Sequence, residues 1–194
     1  MKGKMSEEQM LLLKSVFLAP YMQLATALIG KTREGGGNMF RHQLDTMATL
    51  IDYGYIDSVL LKASIVHDLF EDVPDFSRNL LLDIDFESPA VYDLVLEVTR
   101  HNKEPKSEFL TRILKTGSQK AKILKVADRI SNMISLGFVV QTGFIQRYIE
   151  ETERYVFPIA EQVDKAMLQE LVSLVESRRT YLLAIIPNRA GAFE

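Results

Sequence analysis

Apolar residues recur at three- and four-residue intervals along most of the chain, a spacing that predicts amphipathic helices. In the first segment Ser6 precedes Glu8 and Gln9, an arrangement typical of a helix start. The apolar pattern continues to about residue 30, and Pro20 is expected either to kink this helix or to divide it in two. This first segment is therefore predicted to be helical.

Two further helices are predicted to form a hairpin. The segments MFRHQLDTMATLIDYGY and DSVLLKASIVHDLFEDV both carry the helical pattern, and a short turn at Gly54 to Ile56 separates them. Asp57 or Ser58 is the expected N-cap of the second helix, and Pro74 is expected to end it. Because the connection is short, the two helices should pack antiparallel.

The helical pattern resumes after an irregular connection, PDFSRNLLLDIDFES. Segments with alternating β-branched residues are absent from the sequence, and no repeat of fixed period occurs. Pro187 and the small residues after it predict a frayed tail. The predicted fold class is all-α, with residues 1–194 forming one domain and helices over about 88 to 100, 106 to 115, 119 to 141, 143 to 160 and 164 to 185.

The segment KTREGGGN places three successive glycines between the first helical segment and the hairpin. Glycine lacks a Cβ atom, so this run predicts a mobile loop whose backbone can approach a ligand closely. Helix is expected to resume at about Met39.

Composition narrows the functional classes. The 194 residues include 23 Lys and Arg against 26 Asp and Glu, a net charge of -3, so the chain lacks the excess positive charge that a nucleic-acid backbone attracts. The absence of cysteine excludes disulfides, thiolate zinc sites and thiol nucleophiles. No run of about 18 uninterrupted apolar residues occurs, so no membrane span is expected. We therefore expect a cytoplasmic protein without nucleic-acid or membrane partners, and the sequence leaves a homo-oligomer open.

The stretch HDLFEDVP carries four ionisable side chains within an otherwise apolar segment. On one helix His67 would lie above Glu71 and Asp68 above Asp72, because positions four apart share a face. The apolar neighbours place these side chains against the core, where unpaired carboxylates are costly unless a cation compensates their charge. A divalent metal ion would provide that compensation.

A metal ion of this kind usually has four or more ligands. His42 lies on the preceding helix, where antiparallel packing could bring it opposite His67. Asp128 interrupts the apolar pattern of ILKVADRISNM, so its charge requires a partner other than water. Singly, each residue also fits an ordinary role as a core histidine or a helix cap, but their joint occurrence favours a metal site. His101 lies in a polar connection without a partner at ligand spacing and is left out.

These residues resemble a known metal-binding signature. His42, the HD pair at 67 and 68, and Asp128 resemble the H...HD...D pattern of the HD-domain phosphohydrolases. HDLFED is similar to the HD-plus-ED motif of the hydrolase domain of RelA/SpoT homologues, and LKVADRISNM to that family's IKLADRLxNM helix. LVLEVTRHNKEPKSE resembles the LVEEVT...PKxE segment of small, stand-alone alarmone hydrolases of the metazoan SpoT homologue type. The resemblance covers about residues 24 to 155 and implies an HD-domain helical bundle.

The resemblance also implies roles for individual residues. Glu71 and Asp72 match the acidic pair that handles the attacking water and the leaving pyrophosphate, and either could act as the base. Arg33, Asn132 and Tyr148 match residues near the nucleotide. Four residues are implied as ligands of a single Mn²⁺ ion: His42, His67, Asp68 and Asp128.

Phosphate groups of a nucleotide require cations beyond the metal ion. Arg33 and Lys106 are the expected phosphate-binding residues. Other basic residues flank the motif segments, namely Lys31, Lys103, Arg112 and Arg129.

The implied activity is Mn²⁺-dependent hydrolysis of the alarmones ppGpp and pppGpp at the 3'-pyrophosphate, which yields GDP or GTP and pyrophosphate. Family members commonly have Pro-Tyr-Ile before the first histidine and a proline after it, where this chain has NMFR and Gln43, and these departures bear on base recognition. Two alternatives stay open. One is an HD-domain nucleotide phosphatase that acts on the 2'-phosphate of NADPH or on another nucleotide phosphate, and the other is a non-catalytic nucleotide sensor.

Overall fold

The computed structural model describes residues 5–34, 37–139 and 141–190. Over these ranges the one β feature is an isolated antiparallel bridge between Thr32 and Asn38, so the all-α prediction is confirmed. Two 3-10 turns, Thr26–Leu28 and Leu136–Phe138, and one π-helical turn, Thr152–Val156, accompany the α-helices. The α-helices are α1 (Glu7–Ser15), α2 (Ala19–Ala25), α3 (Met39–Asp52), α4 (Ser58–Val66), α5 (Leu69–Asp72), α6 (Arg78–Leu82), α7 (Ser88–Val98), α8 (Lys106–Thr116), α9 (Gln119–Ser135), α10 (Thr142–Glu151), α11 (Phe157–Val163) and α12 (Lys165–Ala190).

Side-chain caps define several helix starts. Ser6 and Gln9 form a capping box at the start of α1, as the sequence predicts. Asn38, Asp57 and Ser118 each accept a hydrogen bond from the backbone N–H three residues later, and they begin α3, α4 and α9. These caps satisfy backbone donors that the first turn of a helix leaves unpaired.

Helices α3, α4 and α9 pack against one another at the centre of the bundle. Helix α7 packs on α4 and α9, whereas α11 and α12 pack on α9, and α2 lies against α4. The core between them is apolar and fully buried at residues such as Leu50, Leu61, Val95, Leu124 and Leu171. Because α3 and α9 carry predicted metal ligands and α4 ends just before two more, the bundle brings these side chains together inside its core.

A buried ion-pair network holds the connection before α7 onto α4. Lys62 is 2% exposed, and its Nζ lies 2.7 Å from Asp85 Oδ2 and 2.6 Å from Glu87 Oε2. Tyr21 on α2 donates a hydrogen bond of 3.0 Å to Asp85 Oδ1. A buried ammonium group is tolerated only when its charge is paired, so this network links three parts of the chain.

The predicted hairpin forms, but its second helix is not continuous. Helix α4 ends at Val66, and His67 and Asp68 form a turn before the short helix α5. The expectation that one helix continues to Pro74 is therefore wrong. The His67 ring folds back onto α4, with Nδ1 2.8 Å from the Ser64 carbonyl oxygen, and so satisfies one of the carbonyl groups that a helix end leaves unpaired.

Other boundaries also differ from the sequence predictions. The first segment is divided into α1 and α2, and Pro20 lies in the first turn of α2, where its missing N–H costs no hydrogen bond. The connection predicted as irregular contains α6, and α9 ends at Ser135, six residues before the predicted end at 141. Helix α12 continues past Pro187, where a frayed tail was expected. Two of the three consecutive glycines, Gly35 and Gly36, lie outside the described residues.

Among the described residues, no single helix is both long and apolar enough to cross a membrane. Taken together, α1 and the segment Ala19–Leu28 reach the required length and composition, but their axes are bent by 61°.

Candidate metal centre

Two imidazoles and two carboxylates meet where α3, the turn after α4, and α9 come together. His42 Nε2 lies 3.0 Å from Asp128 Oδ1 and 3.7 Å from Asp68 Oδ2. His67 Nε2 lies 3.2 Å from Asp68 Oδ2 and 3.8 Å from Asp128 Oδ1. The structure thus brings together the four predicted metal ligands, whose side chains come from three separate parts of the chain.

Neighbouring groups orient both histidine rings. His67 Nδ1 lies 2.8 Å from the Ser64 carbonyl oxygen, which can only accept, so Nδ1 carries the proton and Nε2 faces the carboxylates. His42 Nδ1 lies 2.9 Å from Ser131 Oγ on α9, so its Nε2 also faces them. An imidazole held through its second nitrogen is the usual arrangement for a metal ligand.

The donor set fits a divalent cation. His42, His67 and Asp128 are all buried, and one ligand atom of each lies within 4.8 Å of those of the other two. His67 Nε2 is buried without a hydrogen-bond partner in the described part of the chain. A buried polar atom without a partner is costly, and a metal ion bound between these residues would satisfy it. Two nitrogen and two oxygen donors suit a first-row transition metal.

The charges in the candidate metal centre shift the pKa values of its histidine and aspartate side chains. Burial disfavours the charged form of His67, but the charges of Asp68 and Asp128 outweigh burial and raise its pKa to about 9. Burial would raise the pKa of Asp128, yet Lys125 and the two histidines hold that pKa well below its usual range. Without a metal ion, a proton on His67 therefore offsets part of the negative charge.

Lys125 and Asn132 hold the Asp128 carboxylate from the same helix. Lys125 Nζ lies 2.7 Å from Asp128 Oδ2, and Asn132 Nδ2 donates to Oδ1. The predicted residue Asn132 therefore contacts a metal ligand and also accepts a hydrogen bond from Arg33. Lys125 is not among the residues predicted from the sequence, although its position three residues before Asp128 on one helix is a signal that could have identified it.

The two residues of the acidic pair face different spaces. Glu71 lines an inner cavity of about 230 Å³ whose wall also contains His42, Asp68 and Asp128. The backbone N–H of Arg100 donates to Glu71 Oε1, and burial of the carboxyl group raises its pKa. Asp72 instead lines an outer cavity of about 660 Å³ together with Ser135, Leu136 and Phe144. The structure thus separates two residues that the sequence could not distinguish.

The inner and outer cavities adjoin, because Arg33, Met39, Arg100, Asn132 and Tyr148 line both of them. Arg33 spans the junction, with Nη1 3.2 Å from Ser135 Oγ and Nη2 bonded to Asn132 Oδ1. Its contacts place a guanidinium group one residue away from the proposed metal ligand Asp128, because Asn132 bonds to both of them.

A second set of basic residues also lines the inner cavity. The guanidinium carbon of Arg129 lies 4.1 Å from the centre of the Tyr148 ring, and Lys106 Nζ lies 4.9 Å from it. Both basic residues pair with Glu151, and burial, with the nearby charge of Arg129, lowers the pKa of Lys106. Lys106 and Tyr148 are therefore placed in the cavity wall, and the fully buried Arg129 supports them.

The remaining flanking basic residues have other surroundings. Lys31 forms an ion pair with Asp72 at 2.6 Å, at the edge of the outer cavity. Arg112 binds Glu104 and two backbone carbonyl groups, which makes it a structural residue. Lys103 and His101 line a neighbouring cleft that also contains Glu71 and Arg100, and none of the four proposed metal ligands lines this cleft. Arg100, which sequence reasoning did not select, lines all three spaces.

The fold is similar to that of a solved structure. No family model and no curated protein matches the sequence. The structure is similar to the solved structure of a metazoan ortholog of SpoT that hydrolyzes ppGpp and plays a role in starvation responses. The match has a TM-score of 0.67 at 22% sequence identity and covers 91% of this chain and 98% of the other. The resemblance predicted from the sequence is therefore confirmed at the level of the fold.

Proposed function

We propose that the chain is a metal-dependent phosphohydrolase of the HD type, with Mn²⁺ as its metal ion. The observation that carries this proposal is the buried Nε2 atom of His67, which faces His42, Asp68 and Asp128 and has no hydrogen-bond partner within the described ranges. In the metal-free protein this atom lies within ion-pair distance of the Asp68 and Asp128 carboxylates, and a divalent cation would take the place of its proton. A divalent cation held by these four residues would lower the pKa of a coordinated water molecule and polarise a phosphoryl oxygen.

Glu71 is the proposed general base. It lines the same cavity as three of the proposed ligands, and its raised pKa brings it closer to the range in which a carboxylate accepts a proton effectively. The hydrogen bond from the Arg100 N–H holds Oε1, which leaves Oε2 to take the proton of the attacking water. Asp72, paired with Lys31 at the outer cavity, is assigned to proton transfer on the side of the leaving group.

The proposed substrates are ppGpp and pppGpp. Water adds to the phosphorus next to the 3'-oxygen, the bond to that oxygen breaks, and pyrophosphate leaves with GDP or GTP as the second product. Two adjoining cavities can accommodate separate parts of such a nucleotide, and Arg33 at their junction is placed to pair with its phosphates. Lys106 and Arg129 supply further positive charge in the lining of the inner cavity. The fold shared with a protein that hydrolyzes ppGpp supports this choice over other nucleotides.

A substrate panel tests the proposal. Purified protein with Mn²⁺ is given ppGpp, pppGpp, NADPH and deoxynucleotides, and the release of pyrophosphate and of phosphate is measured separately. Pyrophosphate release from the two alarmones, abolished by a chelator, is the expected result. Phosphate release from NADPH would instead support the 2'-phosphatase alternative, and tight ppGpp binding without turnover would support the sensor.

Two variants separate catalysis from metal binding. Glu71→Gln should retain Mn²⁺ and lose about 10²- to 10⁴-fold in kcat, the usual contribution of a general base. His101→Ala is the matched control, because this histidine lies outside the metal cluster. A Glu71→Gln protein with wild-type turnover would contradict the assigned role.

A further inference from the structure

Gln43 lies directly after the proposed ligand His42, and its side chain reaches a different ligand. The residue is fully buried on α3, and its Nε2 donates a hydrogen bond of 2.8 Å to Asp68 Oδ2. That oxygen is the atom that faces His67 Nε2 at 3.2 Å and His42 Nε2 at 3.7 Å. The Gln43 amide therefore contacts the oxygen through which Asp68 joins the cluster.

Asp68 needs such a partner more than the other proposed ligands do. It lies in the turn between α4 and α5, outside both helices, and its side chain is 20% exposed. His42 is held by Ser131, His67 by the Ser64 carbonyl group, and Asp128 by two residues of its own helix. Among the described residues, the Gln43 amide supplies the one hydrogen bond to the Asp68 carboxylate.

The oxygen atom of the Gln43 amide argues against a purely stabilising role for this residue. Its Oε1 atom is buried without a hydrogen-bond partner in the described part of the chain. Such an unpaired acceptor typically costs about 1–3 kcal/mol, which an apolar side chain of similar size would avoid. Rotating the amide would place Oε1 against the Asp68 carboxylate, so the observed orientation with Nε2 toward Asp68 is the favourable one.

We propose that Gln43 is a positioning residue that aims Asp68 Oδ2 at the metal ion. The proposal rests on the proposed function, since it assumes that these four side chains bind a cation. Because Gln43 and His42 are neighbours on α3, the amide fixes Asp68 relative to His42 and sets the spacing of the two ligands. Groups that orient a metal ligand in this way typically contribute about 10- to 100-fold in metal affinity.

Gln43→Met tests the proposal, because methionine keeps the length of the side chain and removes both the N–H donor and the unpaired acceptor. The Kd for Mn²⁺ is measured by titration, with free Mn²⁺ followed by electron paramagnetic resonance, and the Tm of the metal-free protein by calorimetry. We expect the Kd to rise about 10- to 100-fold while the Tm stays equal or increases. At saturating Mn²⁺, most of the wild-type turnover should return.

Gln146→Met is the matched control, since Gln146 is exposed on α10 and bonds only to Glu150 in the described structure. Gln43→Leu serves as the second variant if the methionine protein does not fold. An unchanged Kd in a folded Gln43 variant, or a lowered Tm with unchanged Kd, would overturn the positioning role. Wild-type protein that binds no Mn²⁺ would instead overturn the proposed function, so the two failures are distinguishable.

Discussion

Binding of Mn²⁺ should become tighter as the pH rises, because His67 must lose a proton before its Nε2 can bind metal. The pKa of His67 in the metal-free protein is raised to about 9 by Asp68 and Asp128. At pH 7, two units below this pKa, the His67 ring is neutral in about one molecule in a hundred. The apparent affinity for Mn²⁺ is therefore about 100-fold lower than the affinity of the protein with His67 neutral. The logarithm of the association constant for Mn²⁺ should therefore increase by about one per pH unit between pH 6.5 and 8.

The same proton links pH to the stability of the metal-free protein. A pKa raised from 6.5 to about 9 means that the folded state binds the proton more tightly than the unfolded state. The resulting stabilisation is fully present below pH 6.5 and is lost as the pH rises through about 9. Its magnitude is about 3 kcal/mol, from about 1.4 kcal/mol per pKa unit. His67→Asn lacks this contribution, so the difference in unfolding free energy between wild type and variant should change by this amount across the window.

Isothermal titration calorimetry in two buffers of different ionisation enthalpy measures both the affinity and the protons released. We expect release of about one proton per Mn²⁺ bound at pH 7, and His101→Ala should behave like wild type. Mn²⁺ binding that is independent of pH over 6.5 to 8, with no proton release, would show that His67 does not have to lose a proton for the metal ion to bind.

Two other substitutions test separate parts of the structure. Arg33→Met should raise the KM for ppGpp about 10-fold or more and leave the Kd for Mn²⁺ unchanged, because Arg33 bonds to Asn132 and Ser135 rather than to a metal ligand. Steady-state kinetics measures the KM, and metal titration measures the Kd. An unchanged KM would exclude a contact between Arg33 and a phosphate group of the substrate. Lys62→Met should lower the free energy of unfolding by about 3–5 kcal/mol, because it leaves Asp85 and Glu87 without their buried charge partner. Denaturant unfolding measures this loss, and a stability equal to wild type would show that the network is not needed.

The bundle could be predicted well from the sequence because its helices bury one face each and begin at polar caps. Apolar spacing located α3 and α4, and Asp57 marked the start of α4. Periodicity could not detect the turn at His67 and Asp68, because two non-helical residues barely disturb a pattern with a period of 3.6. It also missed α6, whose five residues are too few for a period to show.

The candidate site was predictable to the extent that its residues occur in recognisable motifs. Asp128 is predictable as a charge within an apolar helix, and His42 as a histidine opposite His67 in the predicted hairpin; the structure brings His42 Nε2 to 3.0 Å from Asp128 Oδ1. Gln43 and Lys125 were not identified as parts of the site, because their contacts with Asp68 and Asp128 depend on side-chain directions that a linear pattern does not contain. Glu71 and Asp72 are adjacent in sequence, and only the folded chain shows that they line different cavities.

Two imidazoles and two carboxylates at the centre of the bundle are proposed to bind one metal ion. Anomalous diffraction from crystals grown with Mn²⁺ tests this proposal most directly, with data collected on both sides of the manganese absorption edge. We expect one strong anomalous peak per chain, within coordination distance of His42 Nε2, His67 Nε2, Asp68 and Asp128. No peak at this position, with the four side chains bonded only to one another, would contradict it.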